Sequence, residues 1–118
     1  MFNIKNNEYG SIEVSREVVE TLAGLAAVDC YGLVGMVAQD LQSGLGSILG
    51  MESVRKGVTV KGSDKGLIID VFVIVIYGVK ILEVSHSVMQ KVAYMLEAKA
   101  GLPVAAVNVN VKGVKVLG

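Results

Sequence analysis

The longest apolar run in the chain reads Leu67-Ile68-Ile69-Asp70-Val71-Phe72-Val73-Ile74-Val75-Ile76-Tyr77. A helix needs about 20 residues to cross a bilayer, so this run is too short to span one. Its β-branched content makes it a strand. One face carries Leu67, Ile69, Val71, Val73, Val75 and Tyr77; the other carries Ile68, Asp70, Phe72, Ile74 and Ile76. Just upstream, Val58 to Lys61 alternates apolar and polar residues, and Gly62-Ser63-Asp64-Lys65-Gly66 has the residues of a turn. Val58 to Tyr77 therefore reads as an antiparallel hairpin. Both faces of the long strand are apolar, whereas the strands around Val60 and Val109 show a polar face. Two readings stand open. Either the strand is central and covered on both sides, with Gln39–Gly50 as one cover, or Phe72, Ile74 and Ile76 form an exposed stripe for self-association or a partner.

Moving outward, Tyr9 to Val14 reads as a short strand. Ser15 offers a hydroxyl to cap a helix start, and Glu17 sits where the helix dipole favours negative charge. Val18, Leu22, Leu25 and Ala26 recur at helical spacing, widened by Val19, Ala23 and Ala27, and this predicts the buried face. Tyr31-Gly32 stops the helix. Leu33 to Ala38 reads as a strand, and Gln39 to Gly50 as a loop or short helix. A second helix should run from Val79 or Lys80 to Ala100, with Val84, Val88, Val92 and Met95 inward and Leu82, Met89, Ala93 and Leu96 beside them. Gly101 and Pro103 end it, and Val107, Val109 and Val111 alternate with Asn108, Asn110 and Lys112 in a last strand. The expected fold is α/β of the α+β type: a single layer of mixed, mainly antiparallel sheet with two main helices, in the order β-α-β-β-β-α-β. Residues 1–8 are expected to be a tail, and 9–118 one domain.

The composition agrees: 53% of the 118 residues are hydrophobic and 19% charged, the opposite of a disordered chain. Eleven basic and eleven acidic residues cancel, which disfavours generic nucleic-acid binding. Arg55, Lys56, Lys61 and Lys65 are close in sequence but alternate with glycines and apolar residues. Cys30 is the only cysteine, so no internal disulfide forms, as suits a reducing compartment. Met1 to Asn7 lacks the apolar core of a signal peptide. The expectation is a cytoplasmic protein without direct membrane insertion.

Few residues point to chemistry. His86 is the only histidine and sits among apolar helical neighbours, without the partner a base needs or the co-ligands a metal needs. Cys30 follows Asp29 at a helix end, where a thiol is not activated. Asp70, amid Ile69, Val71 and Phe72, must find a partner, face solvent or shift its pKa, and is read as lying near the exposed start of its strand. Gly44 to Gly50 has the wrong spacing for a dinucleotide loop. Gly32-Leu33-Val34-Gly35 matches the bare GxxG of KH-type RNA-binding domains, which makes a small RNA-binding domain the alternative reading. No catalytic, cofactor-binding or metal residues are assigned; Phe72, Ile74 and Ile76 are the candidate interaction surface.

Ser11-Ile-Glu-Val-Ser15, Glu17-Val-Val, Ala26-Ala27 and Gly32-Leu-Val-Gly-Met36 resemble the opening of the alkaline shock proteins. Lys56-Gly-Val58, Tyr77-Gly78, Ile81, Glu83-Val84, Val92 and Glu97 continue the pattern. Gly101-Leu-Pro-Val104, Val107-Asn-Val109 and Val111-Lys-Gly-Val114 close it. The resemblance implies a non-enzymatic envelope-stress or homeostasis protein of a Gram-positive bacterium. It implies a cytosolic place, or one at the inner face of the membrane through a membrane-anchored relative, and self-association into a homo-oligomer. It further implies a link to a fatty acid kinase, and it supplies no catalytic residues or cofactor.

Overall fold

The computed structural model describes residues 2–37 and 54–116. The elements run β1 (Phe2–Asn7), β2 (Gly10–Val14), α1 (Arg16–Val28), β3 (Leu33–Met36), β4 (Val58–Ser63), β5 (Gly66–Ile76), α2 (Ile81–Tyr94) and β6 (Val104–Lys115). A π-helical turn, Met95–Lys99, continues α2. The α+β class, the mixed sheet and the two main helices are those the sequence predicts. The difference lies at the start. The expected tail contains a strand, β1, paired antiparallel with β2 in a separate two-stranded sheet. Asn7 closes its turn by accepting from the Tyr9 N–H at 2.8 Å, and Phe2 packs against the main core.

β5 is the centre of the main sheet. β6 pairs with one of its edges in parallel. The other edge is shared by two antiparallel strands laid end to end: β4 opposite Gly66–Val71 and β3 opposite Val73–Val75. Phe72 marks the join, since its N–H donates to Gly57 O at 2.9 Å and its carbonyl accepts from Val37 N–H at 3.1 Å. A Cβ added to Gly57 would lie 2.7 Å from Met36 Cβ, so the two half-strands meet only because residue 57 has no side chain.

The helices cover one face. Leu67, Ile69, Val71, Val73 and Val75 are buried beneath them with Val84, Val88, Val92 and Leu96. Ser15 caps α1 by accepting from the Val18 N–H at 3.2 Å, as its sequence position predicts. The buried stripe of α1 is nevertheless the small-residue one: Val19, Ala23, Ala26 and Ala27 are at most 2% exposed, while Val18 is 47% and Leu25 40% exposed. Small side chains let the helix lie close to the sheet, which turns the larger aliphatics outward. Leu82, expected on the inner face of α2, is also exposed. At the end of α1, Gly32 adopts φ +95°, and a Cβ there would sit 2.8 Å from a Val84 methyl. That glycine permits both the turn and the close approach of α2.

Candidate interaction surfaces

His86 lies on the exposed side of α2. Cys30 is buried, its thiol 3.6 Å from the Ala26 carbonyl, and burial pushes its pKa up, which keeps it protonated and unreactive. Asp70 is half-buried rather than exposed. Its carboxylate accepts from the Thr59 hydroxyl at 3.4 Å and the Asn108 amide at 2.9 Å. This makes a polar row across β4, β5 and β6 and satisfies the group within the sheet. Among the described residues no group of His, Cys, Asp and Glu is placed to hold a metal ion.

The GxxG reading changes with the structure. Leu33 and Gly35 pair with Val75 and Ile74 in the sheet, so the pattern belongs to a strand and not to a backbone-clamping loop. Its apolar middle residues are the reason. Arg55 pairs with Glu17 at 3.7 Å. Lys61 and Lys65 belong to the β4–β5 hairpin, some ten residues of β5 from the Gly32 end. At about 3.3 Å per residue that is roughly 30 Å. The glycine-rich Gly44–Gly50 and the Gln39–Gly50 cover lie outside the described residues.

Phe72, Ile74 and Ile76 do not form an exposed stripe. Ile74 is 0% and Phe72 7% exposed, clustered with Val37 and with half-buried Val34; Ile76 is half-buried. Gly113 of β6 faces Ile74, and the Lys112 ammonium stands 5.7 Å from the centre of the Phe72 ring. Of the two readings, the covered central strand holds for Phe72 and Ile74. Beside this cluster a cleft of about 570 Å³ is lined by Arg16, Glu20, Lys61, Asp70 and Asn110 among others. Its mixed charges suit a solvated surface.

A group of exposed apolar side chains lies elsewhere. Ile76 N–H donates to Gly32 O, Val79 N–H to Ile76 O, and Tyr77 N–H to Lys115 O. These bonds draw the end of α1, the end of β5, the start of α2 and the end of β6 to one end of the sheet. There Tyr31 is 89%, Tyr77 70%, Leu82 69% and Val116 71% exposed, and Ile81 47%. Sequence reasoning assigned Tyr31 to a helix stop, Tyr77 to a strand face and Leu82 to a core stripe. The available signal was their shared place at element ends, which matters only once the topology joins those ends.

A two-helix layer on a mixed sheet, with several large apolar side chains exposed at one sheet end, defines a class of small α+β domain. Over residues 4–116 the sequence matches a family whose description is a cell envelope-related function. It is 46% identical to the uncharacterized protein YloU of Bacillus subtilis, over 92% of both chains. It is 40% identical to the uncharacterized protein Spy1614 of Streptococcus pyogenes, over 96% of this chain and 94% of that one. The B. subtilis protein YqhY, also uncharacterized, is 30% identical over 94% of this chain and 82% of its own. No solved structure matches. This chain belongs to that envelope-related family, as the motifs from Ser11 to Val114 imply. No helix among the described residues is long and apolar enough to cross a membrane.

Proposed function

We propose that this chain is a non-enzymatic protein-interaction module in cell-envelope homeostasis, acting in the cytoplasm or at the inner face of the membrane. One observation carries the reading: Tyr31 and Tyr77, in the turns that follow α1 and β5, and Leu82 on α2 stand largely exposed where hydrogen bonds tie these parts together at one sheet end. Aromatic and aliphatic side chains held on rigid elements lose little entropy on docking and supply most of the energy of a contact. The partner proposed is the one the resemblance implies: a membrane-anchored relative, or a fatty acid kinase of lipid metabolism.

The test is a crosslinked pull-down from native cells with wild type and Tyr77→Asp/Leu82→Asp, both confirmed as folded by circular dichroism. Capture of either partner class by wild type, at least about tenfold reduced in the variant, supports the module. Equal capture by both proteins, or recovery of RNA-bound material instead, overturns the proposed surface.

A further inference from the structure

The two edges of the main sheet are treated differently. On the β4 edge, the Arg16 guanidinium donates to the Val60 carbonyl and stacks 5.4 Å from the Phe2 ring, so a side chain occupies an edge acceptor. On the far edge, β6 pairs only with β5 among the described residues. An uncovered edge offers a row of N–H and C=O groups to another chain, and proteins usually blunt it with charge, proline or a bulge. Here those devices sit toward the ends of β6: Pro103 before it and a register shift at Ala105, then Lys112, at a second register shift, and Lys115 near its close. Ala106 to Val111 carries none of them.

The direction of the free groups follows from the ladder. Phe72 and Ile76 direct their N–H groups to the β3–β4 edge, while Leu67 and Tyr77 direct theirs to Pro103 and Lys115 on the β6 side. The odd-numbered residues of β5 thus bond β6. In the parallel register Ile69↔Val107, Val71↔Val109 and Val73↔Val111, the three β6 valines turn their own N–H and C=O groups outward. Val109 and Val111, with Met89 and Ala93 on α2, pack on the core yet stay half-buried.

We infer that β6 is a self-pairing edge, at which a second copy of this chain adds its own β6 antiparallel about a two-fold axis through Val109. That register lets Val109 exchange both N–H···O bonds with its symmetry mate and Val107 with Val111, using every outward group of the bare stretch. Valine stands opposite valine on the helix-covered face, Asn108 opposite Asn110 on the other. Lys112 falls opposite Ala106, and Lys115 opposite Pro103, so no like charges face each other. The joined sheets bring both copies of Met89 and Val111 to one continuous face. This surface is separate from the Tyr31–Tyr77 end, and either proposal stands or falls without the other.

Sedimentation over a concentration series tests it, with folding checked by circular dichroism. Wild type is expected to form a dimer. Val109→Pro removes an outward N–H that β5 does not use, a tolerated edge substitution, and should raise the dimer dissociation constant by about tenfold or more. Ala106→Lys sets like charges opposite each other and should weaken the dimer at low salt, whereas Ala106→Glu should tighten it. A wild type that stays monomeric to about millimolar concentration overturns the inference. So does a dimer unmoved by Val109→Pro in folded protein, or one shifted equally by the two Ala106 variants.

Discussion

Gly57→Ala probes the join between β3 and β4. The new methyl would lie 2.7 Å from Met36 Cβ and 3.0 Å from the Val37 carbonyl oxygen. Both atoms are fixed by backbone that is already bonded to β5, so neither can swing away as a long side-chain end would. Overpacking of this kind costs about 1–3 kcal/mol. Against it stands about 0.4–1 kcal/mol from restricting the unfolded chain. The net expectation is a loss of about 1–2 kcal/mol, or roughly 5–12 °C in melting temperature for a domain near 100 residues. Gly62→Ala is the internal control. A Cβ there meets nothing within 4 Å, so only the unfolded-state gain remains. Urea unfolding followed by circular dichroism compares the two. Equal stability of Gly57→Ala and Gly62→Ala would refute the claim that the half-strands meet in van der Waals contact at residue 57.

Further expectations follow from helix packing and the charged groups. On α1, Ala23→Leu should cost about 1–3 kcal/mol in urea unfolding because Ala23 is fully buried. Leu25→Ala should cost under about 1.5 kcal/mol, since Leu25 is already partly in water; the reverse order would restore the larger-residue stripe as the buried face. The Lys91 ammonium bonds the Asp29 carboxylate, which lowers the Asp29 pKa and raises that of Lys91. The acid side of this pair contributes above the ordinary carboxylate pKa near ~3.9 and is lost as pH falls through the lower folded value. The base side contributes below the ordinary lysine pKa near ~10.4 and is lost as pH rises through the higher folded value. The melting-temperature gap between wild type and Lys91→Met should therefore be flat between those limits, narrow beyond them, and shrink in high salt; a gap constant across the whole pH range would refute the pairing. Cys30 should react with a thiol-specific disulfide reagent far more slowly in native protein than in urea, and equal rates would contradict its burial.

The sequence reading succeeded where periodicity and capping act locally. Ser15, Gly32, the Gly62–Gly66 turn and the Val84–Val88–Val92 stripe each fix an element by chemistry within a few residues, and the structure puts them as expected. It went astray where two candidate faces compete. On α1 the expected face held Val18, Leu22, Leu25 and Ala26 with Val19, Ala23 and Ala27. The small residues are buried and Leu22 packs half-buried against the core, but close packing against the sheet turns Val18 and Leu25 outward, so size rather than apolarity is the deciding property. β1 was hidden because a hairpin outside the main sheet has little core to advertise it. The interaction surface was least legible: Tyr31, Tyr77 and Leu82 are far apart in sequence, and only the β3–β5–β6 topology brings their elements together. Phe72 and Ile74 were singled out for apolarity alone, a signal that cannot separate a second buried face from an exposed one.

The end-to-end arrangement of β3 and β4 also bears on how such chains can vary. Val37 and Gly57 leave and rejoin the sheet at neighbouring points on either side of Phe72. The two points stand side by side on one edge of β5, and each half-strand holds its register through its own ladder to β5. The break in that sheet edge is therefore a joint between two independent ladders: a change confined to one half-strand leaves the other in register, because β5 alone keeps both in step.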